Sequence, residues 1–440
     1  MKRKLYRKLL EWKESKDRKP LLLLGARQVG KTWLMKEFGK NEYDNYVYIN
    51  CDDEPLTREL FVNDYDIDRL LLSFQAISGQ SIVSGRTLII LDELQEAPRG
   101  LHSLKYFREK ASEYHVIAAG SLLGVTLSEH ESFPVGMIDM LNLYPMDFEE
   151  FIDGVGEGAF TDILEHRDPQ MVAPFDAKLT DLLRRYYFVG GMPEVVSSFI
   201  RNNDLTEVRR LQVNLFEAYR RDISKHASKR ESIRIGQVLA SLPSQLAKEN
   251  KRFVYGAAKP GARAADFELA IQWLADAGLV YKVPRVSKIA TPLTFYQDIV
   301  AFKLFFLDVG LLGCMAGVDA ASLLLSPESL VEFRGMLTEQ YVCQQLVAAD
   351  FKPYYWSNTN TPAELDFVIS TPADGPIPVE VKASVNVRGK SLSQFIKDNP
   401  EYRGIRFSLA GFKRQSTLTN YPLFSIPFYF QNGQILEPSH

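Results

Sequence analysis

Residues 20–32 read Pro20-Leu-Leu-Leu-Leu-Gly25-Ala-Arg-Gln-Val-Gly30-Lys-Thr32, and the fold follows from how they are read. Leu21 to Leu24 form a short, wholly apolar run of the kind a buried parallel strand needs. Gly25, Gly30, Lys31 and Thr32 then occupy every fixed position of G-x-x-x-x-G-K-[ST]. A chain of phosphates needs several backbone N–H groups turned inward, and glycine permits the backbone conformations and close approach this takes. Lys31 brings a mobile ammonium and Thr32 a hydroxyl for a divalent cation. Ala26, Arg27, Gln28 and Val29 make up the rest of the loop. A helix is expected from about Lys31, its positive dipole end toward the anion, and Trp33, Leu34 and Phe38 give it an amphipathic pattern.

Downstream, Thr87-Leu-Ile-Ile-Leu-Asp92-Glu93 is an apolar strand ending in two carboxylates. Asp92, at the strand's C-terminal end, is placed to hold the water shell of a metal, and Glu93 beside it to polarise an attacking water. Further strands are expected at 46–51, 115–120 and 138–143, with helices over 56–79 and 101–112. Strands alternating with helices imply a parallel sheet with right-handed crossovers. Ser121 ends the fourth strand, where it either reaches the terminal phosphate or caps a helix. Residues 3–15 read as an amphipathic helix packed beside the loop, with a basic arm as the other reading.

At 440 residues the chain is too long for one core, and two to four domains are expected. Hydrophobic residues make up 46% and charged residues 24%, the balance of an ordinary soluble protein. A net charge of −3 confines any nucleic-acid surface to a local patch. Cys51, Cys314 and Cys343 are odd in number and far apart, which argues against a disulfide framework and suits the cytoplasm. The six histidines form no zinc spacing, and no apolar run has the length of a membrane span. The basic start, Met1 to Leu10, continues into a charged stretch rather than an apolar core, so no signal peptide is expected.

Past a weakly patterned 155–180, a helix is expected to end at Gly190-Gly191 and another to begin at Pro193. This is the form of a small helical lid, and Arg184, Arg185, Arg220 and Arg221 are its candidates for sensing a terminal phosphate. From Arg201 to Arg263 there are 14 Lys plus Arg against 6 Asp plus Glu, an excess of eight. Helical patterns at 233–246, 254–258 and 264–277, then a strand from Leu279, follow the plan of a winged helix. The local charge gives it reason to meet nucleic acid, with Lys229, Arg230, Lys251 and Arg252 among the cations; packing between domains is the alternative.

The last segment carries its own chemistry. Glu339 shares an apolar helical stripe with Met336, Val342, Cys343 and Leu346, and a carboxylate there needs a cation or metal. In Ala363-Glu-Leu-Asp-Phe-Val-Ile, a period of two puts Glu364 and Asp366 on one face. In Ile377-Pro-Val-Glu-Val-Lys it does the same for Glu380 and Lys382, with Gly375 and Pro376 expected to make the turn. Glu339, Asp366 and Glu380 suit Mg²⁺, with Lys382 orienting water or neutralising developing charge in phosphodiester cleavage. Plain alternation on half-exposed strands, with a surface ion pair, is the other reading.

Gly25-Ala-Arg-Gln-Val-Gly-Lys-Thr32, Leu91-Asp-Glu-Leu-Gln, Gly190-Gly-Met-Pro-Glu, Phe306-Leu-Asp-Val-Gly-Leu, Glu364-Leu-Asp-Phe and Pro378-Val-Glu-Val-Lys span most of the chain. Together they resemble the bacterial and archaeal AAA-type P-loop ATPases that carry a C-terminal DUF4143-type, restriction-endonuclease-like domain. The resemblance implies an α/β fold: an ATPase core at 1–160, a helical lid at 161–222, a winged helix at 223–300 and a nuclease-like α/β domain at 301–440. It implies ATP and Mg²⁺ as cofactors, with Gly25 to Trp33 and Asp92 holding the nucleotide, and Thr32 and Asp92 the metal. It also implies Lys31 and Glu93 as catalytic groups, DNA as a partner, no membrane, and room for a homo-oligomer. The nuclease set would be Glu339, Asp366, Glu380 and Lys382; a nucleotide-controlled switch whose nuclease-like domain does not cleave is the competing reading.

Overall fold

The computed structural model describes residues 2–52, 55–62, 64–121, 134–248, 251–320, 331–358, 363–385 and 391–439. It comprises two compact units, one of residues 2–144 with 276–278, the other of residues 145–275 with 279–440.

The N-terminal unit is built on five strands: β1 (Leu21–Gly25), β2 (Asn45–Asn50), β3 (Thr87–Asp92), β4 (His115–Ser121) and β5 (Asp139–Asn142). They lie in the order β2-β3-β4-β1-β5 and every pairing is parallel, as the alternation with helices predicts. Every residue of β1 and β3 is buried, which explains why their sequences run apolar without a polar beat. Leu22, Ile89, Leu91 and Val116 share a core with Phe74 and Phe107 from helices Ile67–Ser78 and Gly100–Lys110. The single helix expected over 56–79 is two, Pro55–Glu59 and Ile67–Ser78. Asp66 starts the second by accepting the N–H of Arg69, a side-chain cap that competes with helix continuation.

The second unit opens with helices, among them Phe148–Gly154, Asp176–Val189, Pro193–Asn202, Leu205–His226 and Lys229–Leu246. Short Tyr255–Ala258 and Ala264–Asp276 follow, then an antiparallel hairpin of β6 (Val280–Val286) and β7 (Gln297–Phe306). The hairpin is not isolated. Arg285 and Val286 pair in parallel with Tyr355 and Trp356 of β8 (Tyr354–Ser357). The sheet continues through β9 (Glu364–Thr371), β10 (Gly375–Val381), β11 (Gly404–Ser408) and β13 (Leu418–Pro422) to β12 (Lys413–Arg414), eight strands in all. The boundary expected between residues 300 and 301 therefore falls inside β7. The turn expected at Gly375-Pro376 lies just before them: Gly375 already pairs with Thr371 and Pro376 with Ser370. Thr371 and Asp374 close it, the Thr371 hydroxyl 2.9 Å from the Asp374 carboxylate and accepting the Asp374 N–H at 2.9 Å.

Two of the stretches that carry the family resemblance meet within this unit. Asp308 is fully buried and caps helix Val309–Met315 by accepting the Leu311 N–H at 3.0 Å. Its other oxygen accepts the Gly191 N–H at 2.7 Å. Gly190 has φ of 74°, and a Cβ there would stand 2.1 Å from the Asp308 carboxylate. A Cβ on Gly191 would stand 2.0 Å from the Met146 carbonyl oxygen. The paired glycines let the end of helix Asp176–Val189 approach a buried carboxylate, a structural lock that the sequence motifs alone do not explain.

Candidate nucleotide site and C-terminal charge cluster

β1 delivers the loop. Helix Lys31–Glu42 begins directly after Gly30, whose φ of 97° is left-handed and which has no side chain to cap the helix. The first-turn N–H donors are thus left for an anion. Gln28, exposed, also has positive φ, 67°. A Cβ on Gly25 would lie 2.4 Å from the Leu143 carbonyl oxygen, so this glycine serves the close approach of β1 to the chain after β5. Ala26 and Val29 are buried, Arg27 half-buried, and Trp33 stands 46% exposed on the helix's first turn.

Lys31 is buried and its Nζ donates to the carbonyls of Gly25 at 2.9 Å and Ala26 at 3.0 Å, holding the ammonium under the loop. Burial pushes its pKa down, while Glu93 and then Asp92 pull it back up. Thr32 Oγ1 donates to Asp92 Oδ2 at 2.6 Å, and the Tyr48 hydroxyl donates to the same oxygen at 3.0 Å. Glu93 takes a left-handed φ of 49°, donates its N–H to Asp92 Oδ1, and accepts from Gln95 Nε2 at 2.6 Å. The register of β1 on β4 sets Ser121 beside Gly25; its side chain lies outside the described residues. Lys31, Thr32, Asp92 and Glu93, drawn from two strand ends 60 residues apart, converge as the sequence reading requires.

These residues fit a magnesium nucleotide. The loop N–H groups and Lys31 match phosphate oxygens, Thr32 and Asp92 offer hard oxygen donors, and Glu93 follows Asp92 with its carboxylate bonded to Gln95. Bound Mg²⁺ would neutralise phosphate charge, with Thr32 and Asp92 the residues that would hold it. Arg3 was not foreseen. Its guanidinium donates to the carbonyls of Val29 at 2.8 Å and Tyr144 at 2.6 Å, tying the loop to the segment after β5. Its partners lie 26 and 141 residues away, beyond any local pattern. The phosphate-sensing candidates belong to the second unit: Arg185 pairs with Asp181 at 3.0 Å, Arg220 with Glu217 at 3.0 Å, Arg221 is exposed, and Arg184 is half-buried.

The family described as AAA domain matches residues 17–152. That match spans most of the N-terminal unit. Beyond it, a domain of unknown function (DUF8612) matches residues 180–322 and a domain of unknown function (DUF4143) matches residues 334–426. No curated protein matches the chain. Similar solved structures include a Walker-type ATPase of Pyrococcus abyssi, 15% identical, covering 72% of this chain and 95% of its own, with a TM-score of 0.44. The Orc1 protein of Aeropyrum pernix in complex with DNA is 12% identical, covering 71% and 91%, with a TM-score of 0.29. The Holliday junction branch migration motor of Thermotoga maritima is 13% identical, covering 64% and 90%, with a TM-score of 0.30. Among the described residues no helix is long and apolar enough to cross a membrane.

In the DUF4143-matching region Glu339, Glu364 and Glu380 each pair with a cation of the chain's own, and Asp366 is held by a backbone N–H. Glu339 pairs closely with Lys251, and Lys303 lies 3.9 Å away. Lys303, fully buried on β7, sits 2.5 Å from Glu364. Glu380, buried on β10, is 2.9 Å from Arg406 Nε and 3.3 Å from Lys382. Asp366 Oδ2 accepts the Val381 N–H at 2.7 Å, where β9 bulges against β8. Burial pushes the Asp366 carboxyl up to about 7, with the charge of Glu339 adding to the shift and Lys303 opposing it. Burial also works to raise Glu339, but Lys251 and Lys303 outweigh it and hold it below the usual carboxylate range.

The sequence set one lysine, Lys382, against three acids and completed the balance with a metal. The structure corrects that sum: Lys251, Lys303, Lys382 and Arg406 pair with Glu339, Glu364 and Glu380, while burial favours the uncharged form of Asp366. Among the described residues no group of three or more His, Cys, Asp or Glu is placed to hold a metal ion. Glu339, Asp366 and Glu380 in this arrangement do not fit one. Lys251, expected to face nucleic acid, is instead committed to Glu339. One signal for Lys303 was available: it is the only charge in the run Ala301-Phe-Lys-Leu-Phe-Phe306, and a lysine buried in such a strand demands an acid.

Proposed function

We propose that the chain binds ATP with Mg²⁺ at Gly25 to Trp33 and Asp92, hydrolyses it with Glu93 as the water-polarising base, and uses this cycle on DNA held by the second unit. The observation that carries the reading is the meeting of Thr32 and Asp92 at 2.6 Å, the residues that directly follow Lys31 and precede Glu93. Three helices followed by the β6–β7 hairpin support a winged helix, and the basic excess of 201–263 supports its contact with nucleic acid. Cys51, Cys314 and Cys343 are unpaired thiols, which supports a reducing, cytoplasmic setting. The test is phosphate release by the full chain with and without DNA. Glu93→Gln should still bind ATP yet turn over slowly, and unchanged turnover in that variant removes Glu93 as the base.

For the C-terminal region, the pairing of Glu339, Glu364 and Glu380 with lysines and an arginine of the chain favours the switch reading: a nuclease-like sheet that binds without cutting. Labelled single- and double-stranded DNA incubated with the protein in Mg²⁺ or Mn²⁺ should remain intact. Cleavage that disappears in Asp366→Ala would restore Asp366, Glu380 and Lys382 as a metal-dependent nuclease.

A further inference from the structure

We infer that the cleft between helix Lys229–Leu246 and residues 259–267 seats the phosphodiester backbone of a nucleic-acid strand. The inference rests on the reading that the second unit meets nucleic acid, and names where. The cleft encloses about 690 Å³ and is lined by Lys229, Arg230, Arg234 and Lys259, with Asp266 as its one acid. That is a local charge of four minus one, +3, in a chain whose net charge is −3.

The acids nearest these cations are already committed. Asp266 lies 3.3 Å from Arg234 and accepts the Arg263 N–H at 3.0 Å. Glu231 is turned back to the Ser228 N–H in a capping box at the helix start. Lys229, Arg230 and Lys259 are exposed, and no ion pair is recorded for them among the described residues. Like charges converging on one open cleft repel each other, and a polyanion relieves that repulsion while releasing its own counterions.

The layout favours a strand over a single phosphate. Arg230, Ile233, Arg234 and Gln237 fall at i, i+3, i+4 and i+7, one face of the helix, extending over about 10 Å of its axis. Lys259, from outside that helix, lines the same cleft. Ile233, 56% exposed between Arg230 and Gln237, supplies apolar surface for a sugar or base. Arginine forks match phosphate oxygens two at a time.

The test is fluorescence anisotropy of the full chain with a labelled 30-nucleotide strand and its duplex, from 50 to 200 mM NaCl. The triple variant Lys229→Glu, Arg230→Glu, Lys259→Glu should lose at least tenfold in affinity at the lowest salt, with a log–log salt slope shallower by about 2. A control reversal outside the cleft, Arg201→Glu, should lose less than threefold. Calorimetric unfolding of the second unit, which holds all three positions, should match wild type in the triple variant, which shows that this unit is folded. Wild-type affinity and slope in the triple variant would overturn the cleft while leaving DNA binding by the chain in place. Failure of the wild type to bind either DNA would remove both the cleft and the nucleic-acid reading, and leave nucleotide hydrolysis untouched. Displacement of the strand by polyglutamate as readily as by unlabelled DNA would reassign the cleft to acidic protein.

Discussion

His115 opens β4 with its ring 2.7 Å from the Tyr43 hydroxyl and edge-on to both Trp12 and Tyr43. Burial, with Arg18 and Lys13 adding repulsion, lowers its pKa to about 4. The folded state therefore binds fewer protons than the unfolded chain between pH 4 and about 6.5. Stability from this group is complete above about pH 6.5 and is lost as pH falls, at no more than about 1.4 kcal/mol per pH unit. Urea unfolding followed at pH 7 and pH 5 should show a larger loss in wild type than in His115→Phe; equal losses would contradict the burial account. The nucleotide residues were legible at this scale because their spacing is local: Gly25 to Thr32 is one loop and Asp92-Glu93 one strand end. Arg3 and Tyr48 were not, since each acts through a contact made only when distant segments pack.

At the scale of elements, β7 and β9 are held together in part by Lys303 between Glu364 and Glu339. Removing one partner of a buried pair leaves the other charged and dry, so Lys303→Met should destabilise the second unit by about 3–5 kcal/mol. Adding Glu364→Gln should restore part of that loss, because the stranded charge goes too. Denaturant titration of both variants decides this: a double variant no better than the single would sink the ion-pair account. Gly190→Ala should be comparably damaging, as its Cβ meets Asp308, and loss of the second unfolding transition in calorimetry would report it. Strands were legible where apolar runs or a period of two marked them. The β6–β8 pairing that makes one sheet of the hairpin and the C-terminal strands joins residues 70 apart, Arg285 to Tyr355, and no local pattern announces it. The charge balance failed for the same reason: Lys251 and Lys303 come from outside the stretches that carry the acids.

The molecule as a whole combines a unit that brings Lys31, Thr32, Asp92 and Glu93 together with a second unit in which Glu339, Glu364 and Glu380 are paired with cations of the chain. Its account stands first on nucleotide binding, since hydrolysis and any action on DNA depend on it. The direct measurement is a calorimetric titration of Mg²⁺ and ATP into wild type and Lys31→Ala. Lys31 holds its ammonium beneath the loop, and its loss leaves phosphate charge uncompensated in a buried setting. The wild type should bind one nucleotide per chain, and Lys31→Ala should weaken binding by a hundredfold or more, about 2.7 kcal/mol. Equal affinity in the two proteins would contradict the account.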